Sequence, residues 1–255
     1  MVVLKTGREL AVMQEACTIS ANALKLAGSL VKPGISTWDI DQEVRRYIEK
    51  MGAVPSFLNY PGMAGKFPAS TCISLNEVVI HGIPSKGRIL KSGDIVDIDV
   101  GAHYKGYHGD TAWTFVCGEI DSETQRLLDT TRECLFKGIE QAVPGNRIGD
   151  IGHAVQEYAE SCSYSVVREF IGHGVGAKLH EDPSVPNYGT PGRGVRLLPG
   201  MTIAIEPMIN QGVKDVRVLP DGWTTVTKDG KLSAHFEHTI AITKNGPVIM
   251  TRADD

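Results

Sequence analysis

Five side chains that could bind metal ions are spread along this 255-residue chain: Asp99, Asp110, His173, Glu206 and Glu237. Carboxylate oxygens around a single imidazole suit a pair of divalent cations. The donor set fits Mn, Fe, Co or Zn, and it does not decide among them. Two cations that share one water are a common means of hydrolysing an amide at neutral pH. The sequence therefore predicts a dinuclear metal site in a hydrolase.

Asp99 and Asp110 lie on neighbouring segments that have the alternation of β-strands, 95–100 and 108–116, with a turn predicted at 104–107. Facing side chains on such a hairpin come within about 5 Å of each other. Two carboxylates at that distance repel unless a proton or a cation lies between them. We expect a metal there; an exposed strand face carrying two solvated acids is the alternative.

Two glutamates lie at the ends of apolar or β-forming runs. Glu206 closes the apolar stretch 201–205, where burying an acid without a partner is costly. Glu237 falls inside residues 235–242, which we predict as one continuous strand. Both positions favour a metal ligand over an ordinary surface acid.

The remaining ligand candidate is an imidazole between glycines, in Gly172-His-Gly-Val-Gly176. Glycines allow the backbone to come close to another group and to adopt unusual dihedral angles. A histidine in a loop is more often a surface residue, but this setting beside an apolar strand favours His173 as a ligand.

Two further histidines could act in proton transfer, because imidazole titrates near neutral pH. His81 and His180 could polarise a carbonyl or move a proton, and each is equally compatible with a turn residue whose ring nitrogen is satisfied. His108, two residues before Asp110, could orient that ligand.

The elements that must position these residues repeat once along the chain. Residues 31–49 resemble 142–160 at a constant offset of 111, which indicates one supersecondary unit used twice. Chance similarity between two amphipathic helices is the alternative. In each copy a long helix, about 6–30 and about 122–142, precedes a Pro-Gly turn and a second helix.

Caps for the second helices are predicted at Thr37 and Gly149. Strands follow each helical pair, so the order is α then β, twice. This order predicts an α+β fold of two similar halves, approximately 5–120 and 121–250, around a central and mainly antiparallel sheet with helices outside. We expect residues 1–255 to form a single catalytic domain.

Composition excludes several classes of protein. The net charge of −4, from 26 Lys+Arg against 30 Asp+Glu, and the lack of a basic stripe argue against binding to nucleic acid. No apolar run is long enough to cross a membrane, and the N-terminus lacks the features of a signal peptide. Five scattered cysteines argue against disulfides and zinc fingers and favour a reducing cytoplasm.

Taken in order, seven stretches closely resemble the methionine aminopeptidases, specifically the short bacterial-type (type I) enzymes, from about residue 5 to residue 250. They are Asn76-Glu-Val-Val-Ile-His-Gly-Ile-Pro84, Gly93-Asp-Ile-Val-Asp-Ile-Asp-Val100, Tyr107-His-Gly-Asp-Thr-Ala112, Gly172-His-Gly-Val-Gly176, Leu179-His-Glu-Asp-Pro183, Ile205-Glu-Pro207 and Phe236-Glu-His-Thr-Ile240. The resemblance implies the pita-bread fold and excision of the N-terminal methionine when the second residue is small, a step of protein maturation.

The resemblance also implies roles for the site residues. Asp99 would hold one metal through both oxygens, and Asp110 would bridge the two metals. The other implied roles are bridging for Glu237, ligation of the second metal for His173 and Glu206, and contact with the scissile amide for His81 and His180. The substrates would be peptides with an N-terminal Met, including nascent chains at the ribosome, and a monomer is expected.

In the mechanism that the resemblance implies, a water shared by the two metals would attack the carbonyl carbon after the methionine, and Glu206 would relay its proton. Matching positions suggest Cys72, Trp223, Phe67 and Tyr60 as walls of the methionine pocket, although Cys72 could equally be a small buried hydrophobe.

The chain departs from the family pattern at two places near that pocket. Residues 59–67 look longer than in the shorter members of the family, and Leu179 stands where we expect a Phe. These departures bear on the shape of the pocket and on which first and second residues it tolerates.

Three other interpretations compete with this one. An X-Pro aminopeptidase or dipeptidase of the same fold usually carries a large preceding domain, for which we expect no room here. Type II methionine aminopeptidases usually carry an insertion that the interval from His180 to Glu206 lacks. A metal-free relative that only binds peptides is disfavoured by the intact ligand set, and metal analysis with an assay of Met release would distinguish it.

Overall fold

A computed structural model describes residues 2–62 and 64–253 of the chain. Within these residues the helices are α1 (Gly7–Leu30), α2 (Thr37–Lys50), α3 (Ser122–Gln141) and α4 (Ile148–Ser161). The strands of the first half are β1 (Val54–Pro55), β2 (Pro61–Gly62), β3 (Gly65–Lys66), β4 (Thr71–Leu75), β5 (Val78–Ile80), β6 (Ile95–Tyr104) and β7 (Tyr107–Val116).

The strands of the second half are shorter. They are β8 (Ser165–Val166), β9 (Gly172–Gly174), β10 (Glu181–Val185), β11 (Thr202–Ile205), β12 (Met208–Asn210), β13 (Val216–Val218), β14 (Thr225–Thr227), β15 (Ser233–His235), β16 (His238–Thr243) and β17 (Gly246–Ile249). Among the described residues the two largest sheets are β1–β6–β4 with β7 beside β6, and β10–β9–β11–β16–β17, in which all pairings are antiparallel.

Helix α1 begins with a reciprocal cap. The Thr6 hydroxyl accepts a hydrogen bond from the Glu9 N–H, and the Glu9 carboxylate accepts one from the Thr6 N–H. The buried face of α1 packs on β6 and β7, where a Cβ on Gly109 would lie 2.5 Å from the Cα of Cys17. Only glycine permits this close approach of helix to strand.

The predicted caps of the second helices are wrong by one or two residues. The N-cap of α2 is Ser36, whose hydroxyl accepts from the Asp39 N–H at 3.1 Å, because the Thr37 hydroxyl instead donates to the Ser85 carbonyl. The N-cap of α4 is Arg147. Gly149 lies inside that helix, where a Cβ would come within 2.4 Å of the Thr190 carbonyl oxygen.

The hairpin formed by β6 and β7 is paired over its whole length and turns at Lys105 and Gly106, which both have positive φ angles. Its register pairs Asp99 with Ala112 and Asp110 with Gly101. The two aspartates are therefore diagonal neighbours on one face of the sheet, two positions apart, rather than directly opposite as we expected.

The strand predicted over 235–242 is broken. Strand β15 ends at His235 and β16 begins at His238, so Phe236 and Glu237 lie between them. At the break the Glu237 N–H donates to the Ala112 carbonyl of β7 at 2.9 Å. The chain leaves one sheet, crosses to β7 and then joins another sheet.

Two threonines join the halves across this crossing, which we call the seam. The Thr114 hydroxyl donates to the His235 carbonyl at 2.7 Å and accepts from the His235 N–H at 3.1 Å. Reciprocally, the Thr239 hydroxyl donates to the Asp110 carbonyl at 2.8 Å and accepts from the Asp110 N–H at 3.3 Å. The seam links β7 to residues 235–239 and so connects the two large sheets.

The offset found in the sequence reappears in the element bounds. Helix α2 begins at 37 and α4 begins at 148, 111 positions later, and both contain 14 residues. Strand β1 begins at 54 and β8 at 165, again 111 positions apart. Each half has its own apolar core, and Trp113 packs against both cores.

Among the described residues, no helix combines the length and the apolar character that crossing a membrane requires. The five cysteines are all free thiols, and only Cys162 is partly exposed.

We expect Thr114→Val to lower the free energy of unfolding of the metal-free protein by about 2 kcal/mol or more, because valine keeps the shape but leaves the buried His235 N–H and C=O without their partner. Urea denaturation measures this. Thr131→Val is the matched control. Thr131 is also buried, and its hydroxyl donates to the Leu127 carbonyl within α3. That carbonyl keeps its helical N–H partner when the hydroxyl is removed. Equal losses in the two variants would contradict a special role for the seam.

Candidate active site

All of the site residues predicted from the sequence line one cavity between the halves. They are Asp99, Asp110, His173, Glu206 and Glu237, the histidines His81 and His180, and the apolar candidates Cys72, Trp223, Phe67 and Tyr60. The same cavity is also lined by Leu179, which the sequence analysis noted near the pocket, and by Phe57, Ile80, Phe170 and Ile171, to which it assigned no role.

Different elements bring the five candidate ligands together. Asp99 and Asp110 come from the β6–β7 hairpin, and His173 is the middle residue of β9. Glu206 follows the last residue of β11, and Glu237 lies in the break between β15 and β16. The first half thus supplies two acids and the second half supplies the other two acids and the imidazole.

Three of these residues, Asp110, His173 and Glu237, form a group within the described residues whose ligand atoms lie within 4.8 Å of one another. His173 Nε2 is 3.7 Å from Asp110 Oδ2 and 3.5 Å from Glu206 Oε1. The other ring nitrogen, Nδ1, donates to the Gly174 carbonyl at 2.9 Å. This bond fixes the tautomer in which the neutral ring presents the Nε2 lone pair to the acids.

Burial shifts the proton equilibria of the cluster. It raises the pKa of Asp99 to about 7 and the pKa of Glu206 to about 8. Burial also raises the pKa values of Asp110 and Glu237 well above their usual range, and neighbouring carboxylates add to the rise. Burial lowers the pKa of His173 to about 3, so the ring is neutral at physiological pH.

The residues fit divalent cations. Asp99 Oδ1, Asp110 Oδ1 and Glu237 Oε1 are buried oxygens without a hydrogen-bond donor among the described residues. Buried acceptors are normally satisfied, and an unsatisfied group calls for an ion or a water. Acid oxygens together with a neutral imidazole form a donor set for a divalent metal.

His180 lies at the mouth of the cavity and is exposed. Its Nδ1 is 2.6 Å from the Tyr60 hydroxyl, and its ring centroid is 4.1 Å from that of His173. If the tyrosine donates to Nδ1, the proton of the neutral ring is on Nε2, which is then free to donate to a ligand in the cavity.

His81 is held in a less common backbone conformation, with φ of 58°. The next residue is Gly82, where a Cβ would lie 2.2 Å from the Ile73 carbonyl oxygen. The His81 ring meets the rings of Phe170 and Trp223 edge-on at 5.6 and 6.2 Å. Burial lowers the pKa of His81 to about 4, so this imidazole is also neutral.

One wall of the cavity is an apolar cluster. It consists of Phe57, Phe67, Ala69, Cys72 and Leu179, with Tyr60, Ile83 and Trp223 packed against it. Burial raises the pKa of the Cys72 thiol well above its usual range, so it is a neutral, weakly polar part of the wall. Leu179, at the position where we expected a Phe, is buried in the same cluster.

Residues 59–67, which look long in the sequence, include the small β2–β3 hairpin. Its base is closed by hydrogen bonds from the Asn59 N–H to the Phe67 carbonyl and from the Phe67 N–H to the Tyr60 carbonyl. A Cβ on Gly62 would lie 2.4 Å from the Trp223 ring, so the hairpin packs directly on that wall residue. Met63 lies outside the described residues.

Two observations differ from the sequence analysis. His108 does not contact Asp110 through a hydrogen bond; its Nδ1 is 2.8 Å from the Ser56 hydroxyl and its ring stacks on His103 at 4.4 Å. The sequence analysis also assigned no role to Asp97 and His235, which are both buried beside the acids. A partial signal was available, because Asp97 lies two residues before Asp99 on β6 and shares its strand face, and His235 lies two residues before Glu237 in the sequence.

We expect the metal-free protein to lose stability as the pH rises from about 6.5 to about 8, above the range in which the lowered pKa values of His81 and His173 act in the opposite direction. The folded-state pKa values of Asp99, about 7, and Glu206, about 8, lie above the ordinary values of 3.8 and 4.5, so the folded protein holds protons that the unfolded chain has released. Thermal unfolding in a chelator should show a lower midpoint at pH 8 than at pH 6.5. Excess Mn²⁺ at pH 8 should restore the unfolding midpoint. Asp99→Asn should reduce the change of the midpoint with pH. A midpoint that stays constant or rises across this range would contradict the account.

Comparison with known proteins places this geometry in a family. The model of metallopeptidase family M24 matches residues 11–244. "Methionine aminopeptidase 1" of Bacillus subtilis is 52% identical over 252 residues, covering 99% of this chain and 100% of the relative. "Methionine aminopeptidase" of Clostridium acetobutylicum is 50% identical over 251 residues, covering 98% and 99%.

Comparison with solved structures gives the same family as the sequence comparisons. The crystal structure of methionine aminopeptidase from Thermotoga maritima matches with a TM-score of 0.96 and 47% identity, covering 99% of this chain and 100% of that one. Prolidase from Pyrococcus furiosus shares the fold at a TM-score of 0.78 and 24% identity, and this chain covers 66% of it. The α+β pita-bread fold predicted from the sequence is confirmed. The chain belongs to the methionine aminopeptidases of metallopeptidase family M24.

Proposed function

We propose that this protein hydrolyses the first peptide bond of chains that begin with methionine and carry a small second residue. The observation that carries the proposal is the juxtaposition, in one cavity, of an acid cluster fitted to divalent cations and an apolar wall. An apolar wall with a few convergent polar groups is typical of a site that binds one side chain and acts beside it.

Two divalent cations would be held by Asp99, Asp110, His173, Glu206 and Glu237. When bound, they would supply Lewis-acid chemistry, lowering the pKa of a water and polarising the scissile carbonyl. Their identity, among Mn, Fe, Co and Zn, is left open by the donor set.

Glu206 is the proposed proton relay. Its Oε1 faces His173 inside the cavity, 3.5 Å from Nε2, and burial raises its pKa to about 8 in the metal-free protein, which supports a role as proton acceptor. Glu206 takes a proton from the attacking water and passes it to the leaving amine. The products are free methionine and a peptide shorter by one residue, so one water is consumed for each bond broken.

His180 and His81 would act on the scissile amide. With its Nδ1 engaged by Tyr60, His180 can donate from Nε2 to the oxygen on which negative charge develops. His81 would contact the backbone nitrogen of the second residue or the leaving amine.

The side chains around the cavity support the substrate assignment. The wall that includes Phe67, Cys72 and Trp223 offers a soft apolar surface for methionine. The rings of His81, Phe170 and Trp223 lie close together, which favours a small second residue. Since one chain supplies every lining residue, a monomer suffices, and nascent chains at the ribosome are a natural source of such termini.

The direct test is release of free methionine from Met-Ala-Ser. We expect turnover after reconstitution with one of the four metals, loss of turnover with chelator, and little release from Leu-Ala-Ser or from Met followed by a bulky residue. A blocked terminus in N-acetyl-Met-Ala-Ser should prevent release. Absence of methionine release with every metal, in protein shown to contain metal, would refute the proposed function.

Glu206→Gln tests the proton relay. We expect kcat to fall by about 10²- to 10⁴-fold, because the amide cannot accept the proton of the attacking water. Metal content is measured on the same sample, since Glu206 is also a proposed ligand. Retained turnover with metal still bound would remove Glu206 from this role.

A further inference from the structure

An imidazole that the proposed mechanism does not use lies behind Glu206. His235, the last residue of β15, is 1% exposed, and Asp97, on β6, is 2% exposed. They are distant in sequence and come from different halves of the molecule. A histidine and an aspartate buried this deeply need partners for their polar atoms.

Each ring nitrogen of His235 faces a different acid. Nδ1 lies 3.4 Å from Asp97 Oδ2, and Nε2 lies 3.9 Å from Glu206 Oε2. The second distance is that of an ion pair and is longer than a hydrogen bond. Nε2 has no hydrogen-bond partner among the described residues, so Glu206 is the group it can serve.

The backbone of His235 is held in place as well as its ring. Thr114 holds both the N–H and the C=O of His235 across the seam. Together with the Asp97 contact, this leaves the imidazole little freedom to turn away from Glu206.

The two oxygens of Glu206 therefore have different neighbours. Oε1 is 3.5 Å from His173 Nε2, on the cavity side, and Oε2 is 3.9 Å from His235 Nε2, on the buried side. An imidazole on each side defines which oxygen faces the cavity and in which plane the carboxylate lies.

We propose that His235, anchored by Asp97 through Nδ1, is a positioning residue for Glu206: its Nε2 engages Oε2 and so presents Oε1 to the cations and the attacking water. The inference rests on the role proposed for Glu206 above. Buried partners of this kind orient metal ligands, and their loss typically costs about 10- to 100-fold in metal affinity or activity.

Two conservative variants separate the two contacts of the ring. In His235→Gln the side-chain amide reaches the position of Nε2, towards Glu206, whereas in His235→Asn it reaches the position of Nδ1, towards Asp97. We expect His235→Asn to lose about 10- to 100-fold in kcat on Met-Ala-Ser with little change in KM. We expect His235→Gln to remain close to wild type, because it keeps the contact with Glu206.

Calorimetric titration of the metal-free proteins with Mn²⁺ gives a readout that does not depend on turnover. His235→Asn should bind Mn²⁺ about 10- to 100-fold more weakly than the wild type, and His235→Gln should not. The matched control is His238→Asn. His238 flanks Glu237 on the other side, but its Nδ1 bonds the Thr251 hydroxyl at 2.9 Å and the residue does not line the cavity.

Urea denaturation of each variant identifies losses that come from unfolding. The inference is overturned if His235→Asn matches the wild type in both kcat and Mn²⁺ affinity, or if both His235 variants lose equally, which would mean that ring packing alone matters. A wild type that binds Mn²⁺ but releases no methionine refutes the proposed function instead, while the affinity series still tests the positioning role.

Discussion

Four carboxylates buried around one cavity repel one another, and the rest of the fold holds them in place against that repulsion. Protons or cations relieve it. Burial raises the pKa values of these acids, neighbouring carboxylates add to the rise, and the oxygens of Asp99, Asp110 and Glu237 that lack a donor among the described residues fit divalent metals. Burial also disfavours the charged form of the imidazole among them, so the pKa of His173 is lowered and the ring stays neutral. The site is thus built to be completed by an ion.

The acids belong to two halves of the chain, so the repulsion would push the halves apart. The seam opposes it with hydrogen bonds between backbone groups and two threonine hydroxyls, one from each half. The same hydroxyls fix the backbone of Asp110 and His235. Structural support and the orientation of the site are therefore supplied by the same few contacts.

Much of this could be predicted from sequence because it is local. The alternation around Asp99, the turn at residues 104–107 and the offset of 111 follow from spacing alone. The errors came from distant contacts. The Thr37 hydroxyl is occupied by Ser85, and the strand at 235–242 breaks because Glu237 bonds Ala112. The contact between Asp97 and His235 was missed for the same reason, because periodicity in the sequence does not show which faces of distant strands pack together.

The reciprocal threonines have a consequence for how such a chain could arise. The Thr114 hydroxyl hydrogen-bonds the backbone of His235, and the Thr239 hydroxyl hydrogen-bonds that of Asp110, in segments that run in opposite directions. A two-fold rotation produces this exchange of identical contacts. An ancestral gene encoding only half the length could have given a homodimer with its catalytic cleft on the symmetry axis. Fusion after duplication would then have freed each copy to diverge, so that one half supplies two aspartates and the other supplies two glutamates and the imidazole.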